Sequence, residues 1–312
     1  MKIVFVDFDT LGSDIDIAKF KNFGDVEVYA NTSYNDTITR LKNADIVITN
    51  KVVIDRNIID NTNLKLICVA ATGMNNIDLE YARAKNIEIK NVKGYSTASV
   101  VQLTFALVLN LIQKLNYYTN YSRSGAWCKS EIFANLDVPF YELQNKNWGI
   151  VGLGEIGRKV ADIAKVFDCN VSYYSTSGTN NNTNYKKVSL EELLKNSDII
   201  SIHAPLNSTT KNLLNYTNLS MIKEGAIIVN LGRGGIINED DIARIVDEKE
   251  LYFGLDVLEV EPMKENHPLL SIQNKNRVLI TPHIAWASVE SRQRLVDAIY
   301  SNIQEFVIKY KQ

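Results

Sequence analysis

Cysteine is scarce and unpaired in this chain. Cys68, Cys128 and Cys169 lie far apart, and none forms a C-x-x-C pair. That spacing signals neither a disulfide framework nor a zinc site, and no metal is expected. Cys68 and Cys169 sit in apolar runs and read as packing residues. Excess charge of one sign is missing too. The net charge is −2, and the basic residues are scattered. This pattern excludes the footprint of a nucleic-acid partner. Long apolar runs are also absent. The most apolar stretch, Ser99 to Ile112, is interrupted by Gln102, Thr104 and Asn110. It falls short of the ~20 residues that span a bilayer. The run Ile3–Val6 is too short for a secretion signal. The expectation is therefore a cytoplasmic protein without a membrane partner. Histidine is rare: only His203, His267 and His283 are available for imidazole chemistry.

What is present is a globular composition, 46% hydrophobic and 22% charged over 312 residues. That length suits one large or two ordinary domains. Short apolar runs alternate with helical patterns, which predicts parallel βαβ units. In the first third the strand-like runs are Ile3–Val6, Ile46–Thr49, Leu64–Val69 and Ile87–Ile89, with a helix over Asp78–Lys85. A long helix is expected from Ser96 or Thr97 past Leu115. A second series opens at Trp148. Its strands are Gly149–Val151, Asn170–Tyr174, Ile199–Ile202, Ala226–Asn230, Leu251–Asp256 and Val278–Thr281. Its helices are Glu155–Phe167, Leu190–Lys195 (opened by the box Ser189-x-x-Glu192) and Glu239–Val246, and a last helix covers Val289–Tyr310. The asparagine-rich stretch Asn180–Asn184 reads as a loop.

Between the first strand of that second series and its helix stands Gly152-Leu153-Gly154-Glu155-Ile156-Gly157. Strand, glycine loop and helix form the context that a dinucleotide fingerprint requires. Gly152 permits the turn, Gly154 lets backbone approach a pyrophosphate, and Gly157 lets helix pack on strand. The helix N-terminus then offers free N–H groups to the phosphates. A plain strand–helix turn is the bland alternative. The loop lies mid-chain, so the preceding half belongs largely to another domain, to which the last helix returns. The boundaries read from sequence are 1–98 plus 287–312 for one domain and 99–286 for the dinucleotide-binding one. An acidic residue at the end of the next strand favours NAD. Here Ser175 holds that place, followed by Thr176 and Ser177, with Lys186 and Lys187 further on. Both NAD and NADP therefore stay open.

Three polar residues follow strand-like runs downstream. Arg233 lies between glycines in Gly232-Arg233-Gly234-Gly235 and suits a carboxylate through two parallel hydrogen bonds. A surface ion pair is its alternative. Glu261 precedes Pro262, and His283 follows Pro282. A carboxylate beside an imidazole favours the protonated ring and fixes which nitrogen holds the proton. His203 ends a strand and reads as a cofactor neighbour, and His267 reads as a loop residue.

Taken together, these motifs resemble the D-2-hydroxyacid dehydrogenase family over nearly the whole chain. The carriers are Val69 to Ile77, Gly94-Tyr95-Ser96-Thr97, the glycine loop, His203-Ala204-Pro205-Leu206, Arg233-Gly234-Gly235, Asp256-Val257 through Glu261-Pro262, and Pro282-His283. The resemblance implies an α/β protein of two doubly wound parallel-sheet domains, a flavodoxin-like substrate domain and a Rossmann domain, with the active site in a cleft. It implies that Arg233 binds and polarises a 2-oxo acid, that His283 gives the proton and that Glu261 tunes His283. It also implies that Asp256 faces the nicotinamide amide and that Thr104, Pro205, Thr210 and Leu231 lie on the cofactor side. Gly73, Met74, Lys51 and Trp286 are implied for substrate. The arm Asn116 to Phe133 is implied to form a homodimer. Within the family, the segment Ile284 to Ser288 and Tyr95 to Thr97 look most like hydroxypyruvate or glyoxylate reductases. Departures are Val101-Gln102 in the long helix and Gly232 before the arginine. Two other readings share the fold. One is a formate or phosphite dehydrogenase, which needs no proton shuttle. The other is a nucleotide-sensing binding protein or corepressor.

Overall fold

The structure is a computed structural model that describes residues 1–310. The chain divides into two compact units. One comprises Met1–Ser96 and the segment from Trp286 onward, and the other comprises Thr97–Ala285.

The first unit carries β1 (Lys2–Phe5), β2 (Asp25–Val28), β3 (Ile46–Thr49), β4 (Leu66–Val69) and β5 (Glu88–Lys90). Its helices are α1 (Tyr34–Leu41), α2 (Arg56–Asp60), α3 (Leu79–Ala84) and the C-terminal helix Val289–Tyr310. All strand pairs are parallel, in the order β2-β1-β3-β4-β5. This is the flavodoxin-like order. Alternate residues along each strand supply two cores. Ile3, Phe5, Ile46, Ile48, Leu66 and Cys68 pack with the C-terminal helix. Val4, Val6, Val47, Ile67 and Val69 form the other core. Both faces of the sheet are covered, which is why its strands read as continuous apolar runs.

The second unit carries α4 (Thr97–Ile112), α5 (Leu115–Arg123), β6 (Asn147–Val151), α6 (Glu155–Val166), β7 (Asn170–Tyr174) and β8 (Lys186–Lys187). There follow α7 (Leu190–Asn196), β9 (Ile199–Ile202), α8 (Tyr216–Leu219), β10 (Ile227–Asn230), α9 (Glu239–Glu248), β11 (Tyr252–Leu255) and β12 (Val278–Ile280). The parallel sheet has the order β12-β11-β10-β9-β6-β7-β8. Counted from β6, that is the Rossmann order with one more strand. Trp148, Ile150, Ile199, Ile227 and Val229 pack on one face with residues of α4 and α6. Val151, Ile200, Ile202 and Ile228 pack on the other. Trp148 is fully buried, and its indole N–H donates to Ser201 Oγ at 2.9 Å.

The expected long helix breaks. Lys114 adopts a left-handed φ of 53°, between α4 and α5. Ser189 does cap α7, accepting the N–H of Glu192 at 3.1 Å. The Glu192 carboxylate pairs with Lys186, so the reciprocal half of the expected box goes elsewhere. Among the described residues no single helix is long and apolar enough to cross a membrane. The bent pair α4 and α5 passes on length and composition, but α4 supplies core residues of its own unit.

Candidate active site

Strand order in the second unit reverses between β6 and β9, and ligands of open α/β sheets bind outside the carboxyl ends at such a point. The glycine loop leaves β6 there. Gly152 has φ +91°, and a Cβ on it would lie 3.0 Å from Ala204 N, so the turn passes tightly beside the end of β9. A Cβ on Gly157 would lie 2.3 Å from the Gly152 carbonyl oxygen, which fixes close helix–loop packing. Gly154 differs: a Cβ there would meet no atom within 4 Å. Protein packing gives no reason for glycine at that position, whereas close approach of a phosphate does. His203 adds a second sign. Both its ring nitrogens are buried without a hydrogen-bond partner, and burial drives the imidazole down to about 3. These residues fit a dinucleotide.

The rest of the cofactor side is mixed. Glu155, in the first turn of α6, accepts a hydrogen bond from Thr97 Oγ1 at 2.6 Å, and Ile156 follows it half-buried. Ser175 is buried, and its Oγ accepts the N–H of Asn180 at 3.3 Å, while Thr176 is half-buried. Asn180 Nδ2 donates to the Leu153 carbonyl at 2.7 Å and so ties this loop to the glycine loop. Lys186 is engaged by Glu192, and Lys187 by Gly178 O and Asn181 Oδ1. Pro205 O accepts the Thr210 hydroxyl at 2.7 Å. Thr104 is wholly buried, and its hydroxyl donates to Val100 O within α4. Thr210 is 1% exposed and shapes the 205–210 turn. Leu231 is buried at the end of β10.

The three polar residues singled out in the sequence, Arg233, Glu261 and His283, stand after β10, β11 and β12 of the same sheet. Arg233 is exposed and its guanidinium donates to Gly232 O at 2.8 Å. No carboxylate lies within ion-pair distance of it among the described residues. Asn230 braces the loop: its Nδ2 donates to Arg233 O at 2.8 Å, and its Oδ1 accepts the Gly232 N–H at 3.0 Å. A Cβ on Gly234 would fall 1.9 Å from the Leu258 carbonyl carbon, so the Arg233 loop lies directly on the segment leading to Glu261. Glu261 Oε1 accepts the Leu258 N–H at 3.0 Å, and Oε2 meets His283 Nδ1 at 2.6 Å. A carboxylate only accepts, so Nδ1 carries the hydrogen and Nε2 is the nitrogen left for chemistry.

Asp256 holds the imidazole from behind. Its carboxylate accepts Thr281 Oγ1 at 2.6 Å, Ile284 N–H at 2.9 Å and Ala285 N–H at 2.9 Å. Its backbone carbonyl accepts the His283 N–H at 2.9 Å. Burial lifts this carboxyl above the usual range, opposed by those three hydrogen bonds. Among the described residues the Asp256 carboxylate thus binds only the Thr281–Ala285 segment, while its backbone N–H donates to Asn230 O at 3.1 Å.

In the first unit, Lys51 follows β3 and Gly73-Met74 follow the neighbouring β4, at the same edge of that sheet. The Lys51 turn is held by Asp7. That buried carboxylate accepts the N–H groups of Asn50, Lys51 and Val52 at 2.6–3.1 Å. Lys51 itself is exposed. Trp286 packs on the core of the first unit, its ring 6.3 Å from that of Tyr95. No local sequence pattern marks the bracing contacts of Asp7, Asn180 and Glu239, because each is made to a distant segment.

Residues 105–285 match the family described as D-isomer specific 2-hydroxyacid dehydrogenase, NAD binding domain. The chain is 37% identical to a hydroxypyruvate reductase of Blautia hydrogenotrophica, covering 98% of this chain and 97% of that one. It is 31% identical to a glycerate dehydrogenase of Methylorubrum extorquens, over 98% and 96% of the two chains. The structure resembles an acyclic imino acid reductase solved with NADPH and D-Arg, with a TM-score of 0.86, 27% identity and coverage of 99% and 98%. A Rossmann sheet that brings a histidine–carboxylate pair and an exposed guanidinium to its carboxyl edge defines, with these relatives, a nicotinamide-dependent oxidoreductase. The chain belongs to the D-isomer specific 2-hydroxyacid dehydrogenase family.

Proposed function

We propose that this chain reduces a short 2-oxo acid, hydroxypyruvate or glyoxylate, to the corresponding hydroxy acid. The observation that carries the reading is the 2.6 Å bond between Glu261 Oε2 and His283 Nδ1, on a segment packed against the Arg233 loop. Arg233 binds the substrate carboxylate and polarises the carbonyl. His283 donates the Nε2 proton to the carbonyl oxygen, and Glu261 keeps Nδ1 protonated and the ring oriented. When bound, a nicotinamide would supply the hydride that C2 gains. In the oxidative direction His283 takes the proton back as base. Asp256 keeps the His283 loop in place.

The backbone of Gly152, Gly154, Glu155, Ile156 and Gly157 receives the pyrophosphate. Leu231, His203 and Pro205 line the cofactor side, and Ser175 and Thr176 meet the adenosine ribose. Ser175 puts no charge against a 2′-phosphate, so the site takes NADH or NADPH. Lys51, Gly73, Met74 and Trp286 contribute to recognition of the acid. The Glu261–His283 pair argues against formate chemistry, which transfers no proton to a carbonyl. The relatives reported above are named as enzymes, which leaves the sensor reading without support. We further infer a homodimer through the arm after α4, supported by the exposure of Trp127, Ile132 and Phe133. Three unpaired thiols accord with a cytoplasmic setting.

The test is a panel of short 2-oxo acids, formate oxidation included, assayed with NADH, NADPH and their oxidised forms. Turnover should be highest with hydroxypyruvate or glyoxylate. Absence of turnover across the panel while cofactor still binds would refute the reading.

A further inference from the structure

A second histidine–carboxylate pair lies in the same unit, away from the reacting nitrogen. Glu239 opens α9 directly after its cap, Asn238. Its side chain is 13% exposed and that of His267 is 8% exposed. Glu239 Oε2 meets His267 Nε2 at 2.8 Å. The other ring nitrogen, Nδ1, accepts the Leu269 N–H at 3.3 Å, so Nε2 must be the one that carries hydrogen. Glu239 Oε1 accepts the backbone N–H of Glu259 at 2.6 Å. One enclosed carboxylate thus fastens the chain at residues 259 and 267, and Glu261 lies between those two points.

We infer that Glu239 and His267 are positioning residues that hold the Glu261 carboxylate on His283. The inference rests on the proton-donor role proposed above for His283. Two other polar contacts of this segment are weaker anchors. The Lys211–Glu259 ion pair, at 3.3 Å, joins side chains that are 58% and 51% exposed, and exposed pairs of this kind contribute little. The bond from Leu258 N–H to Glu261 lies inside the loop and moves with it. Gly234 lies on the same Leu258–Glu259 backbone, so the fastening also sets the bed of the Arg233 loop. Two donors converge on Glu239, and both need an acceptor oxygen. Glutamine offers only one, so it cannot replace the carboxylate fully.

The experiment compares Glu239→Ala, Glu239→Gln, His267→Ala and His283→Ala by kcat, by cofactor affinity and by proton NMR of 15N-histidine-labelled protein. With three histidines in the chain, His267→Ala and His283→Ala each assign one set of resonances and the third follows by elimination. Wild type should show a downfield Nδ1–H signal from His283. Glu239→Ala and His267→Ala should lower kcat by about 10- to 100-fold, since a small misplacement of a reacting group costs that much. Cofactor affinity should stay at the wild-type value, and the His283 signal should broaden or vanish. Glu239→Gln should lose less. If Glu239→Ala does not fold, His267→Ala and Glu239→Gln carry the test. A folded variant with wild-type kcat and an intact His283 signal overturns the positioning role. Wild-type kcat in His283→Ala instead sinks the proton-donor reading, and the NMR signal alone then decides whether Glu239 holds Glu261.

Discussion

His283 adopts φ +54°, a left-handed conformation that few residues other than glycine adopt without support. The support is Asp256, whose carboxylate and carbonyl accept four hydrogen bonds from the Thr281–Ala285 segment. Asp256→Ala leaves the Ile284 and Ala285 N–H groups unpaired, at about 1–3 kcal/mol for each buried group. Denaturant unfolding should register that loss, and kcat should fall with it. The sign of the pH effect follows from burial, which raises this carboxyl in the folded state. Above about pH 3.9, the ordinary aspartate value, the unfolded chain has lost the proton that the folded protein still holds. Raising the pH from there through the folded value therefore subtracts stability. Asp256→Asn should flatten that part of the stability–pH curve, and urea midpoints at a series of pH values check it; an unchanged slope would contradict it. The thiols make a separate case. Burial pushes Cys68 up to about 12 and Cys169 to about 11, while Cys128 is exposed. Ellman's reagent at pH 8 should modify one thiol of the native protein, and Cys128→Ser should abolish the reaction. Modification of two or more thiols in the folded state would count against this account.

At the scale of the elements, the loops after β10 and β11 act as one piece. Gly234→Ala drives a methyl group into the Leu258 backbone. It should lower the melting temperature and reduce kcat/KM more than the same change at Gly154, where a Cβ meets open space in the protein itself. Gly154→Ala should instead weaken cofactor binding, read by titration calorimetry. Element by element, the sequence was most legible where strands are buried on both faces. Ile46–Thr49 and Ile199–Ile202 follow from apolar runs alone. The edge strands β2 and β8 were not legible, because Asp25–Val28 is largely exposed and β8 is two exposed lysines. Nor was the break at Lys114, since neither glycine nor proline marks it. Arg233, Glu261 and His283 were legible because glycine or proline flanks each one just after a strand. Asp7, Asp256 and Glu239 hold backbone from segments 20 to 45 residues away, and no local pattern records such a pairing. His267 read as a loop residue because its partner lies 28 positions upstream.

For the whole molecule, the exposed apolar arm is the feature that a single chain leaves unexplained. Phe133 is 92% exposed, Leu136 73% and Ile132 61%. Exposed apolar groups of this density mark association surfaces. Light scattering should give the mass of a dimer, and Phe133→Asp with Leu136→Asp should shift it toward the monomer. A wild-type monomer would exclude the proposed assembly. The parallel sheet, the glycine turn and the two His–Glu pairs serve one claim, that His283 Nε2 moves the proton while Nδ1 is held by Glu261. The most direct measurement is kcat of His283→Ala for the best 2-oxo acid at saturating cofactor. The account predicts a fall of about 10²- to 10⁴-fold with cofactor affinity unchanged, and a kcat within two-fold of wild type would contradict it.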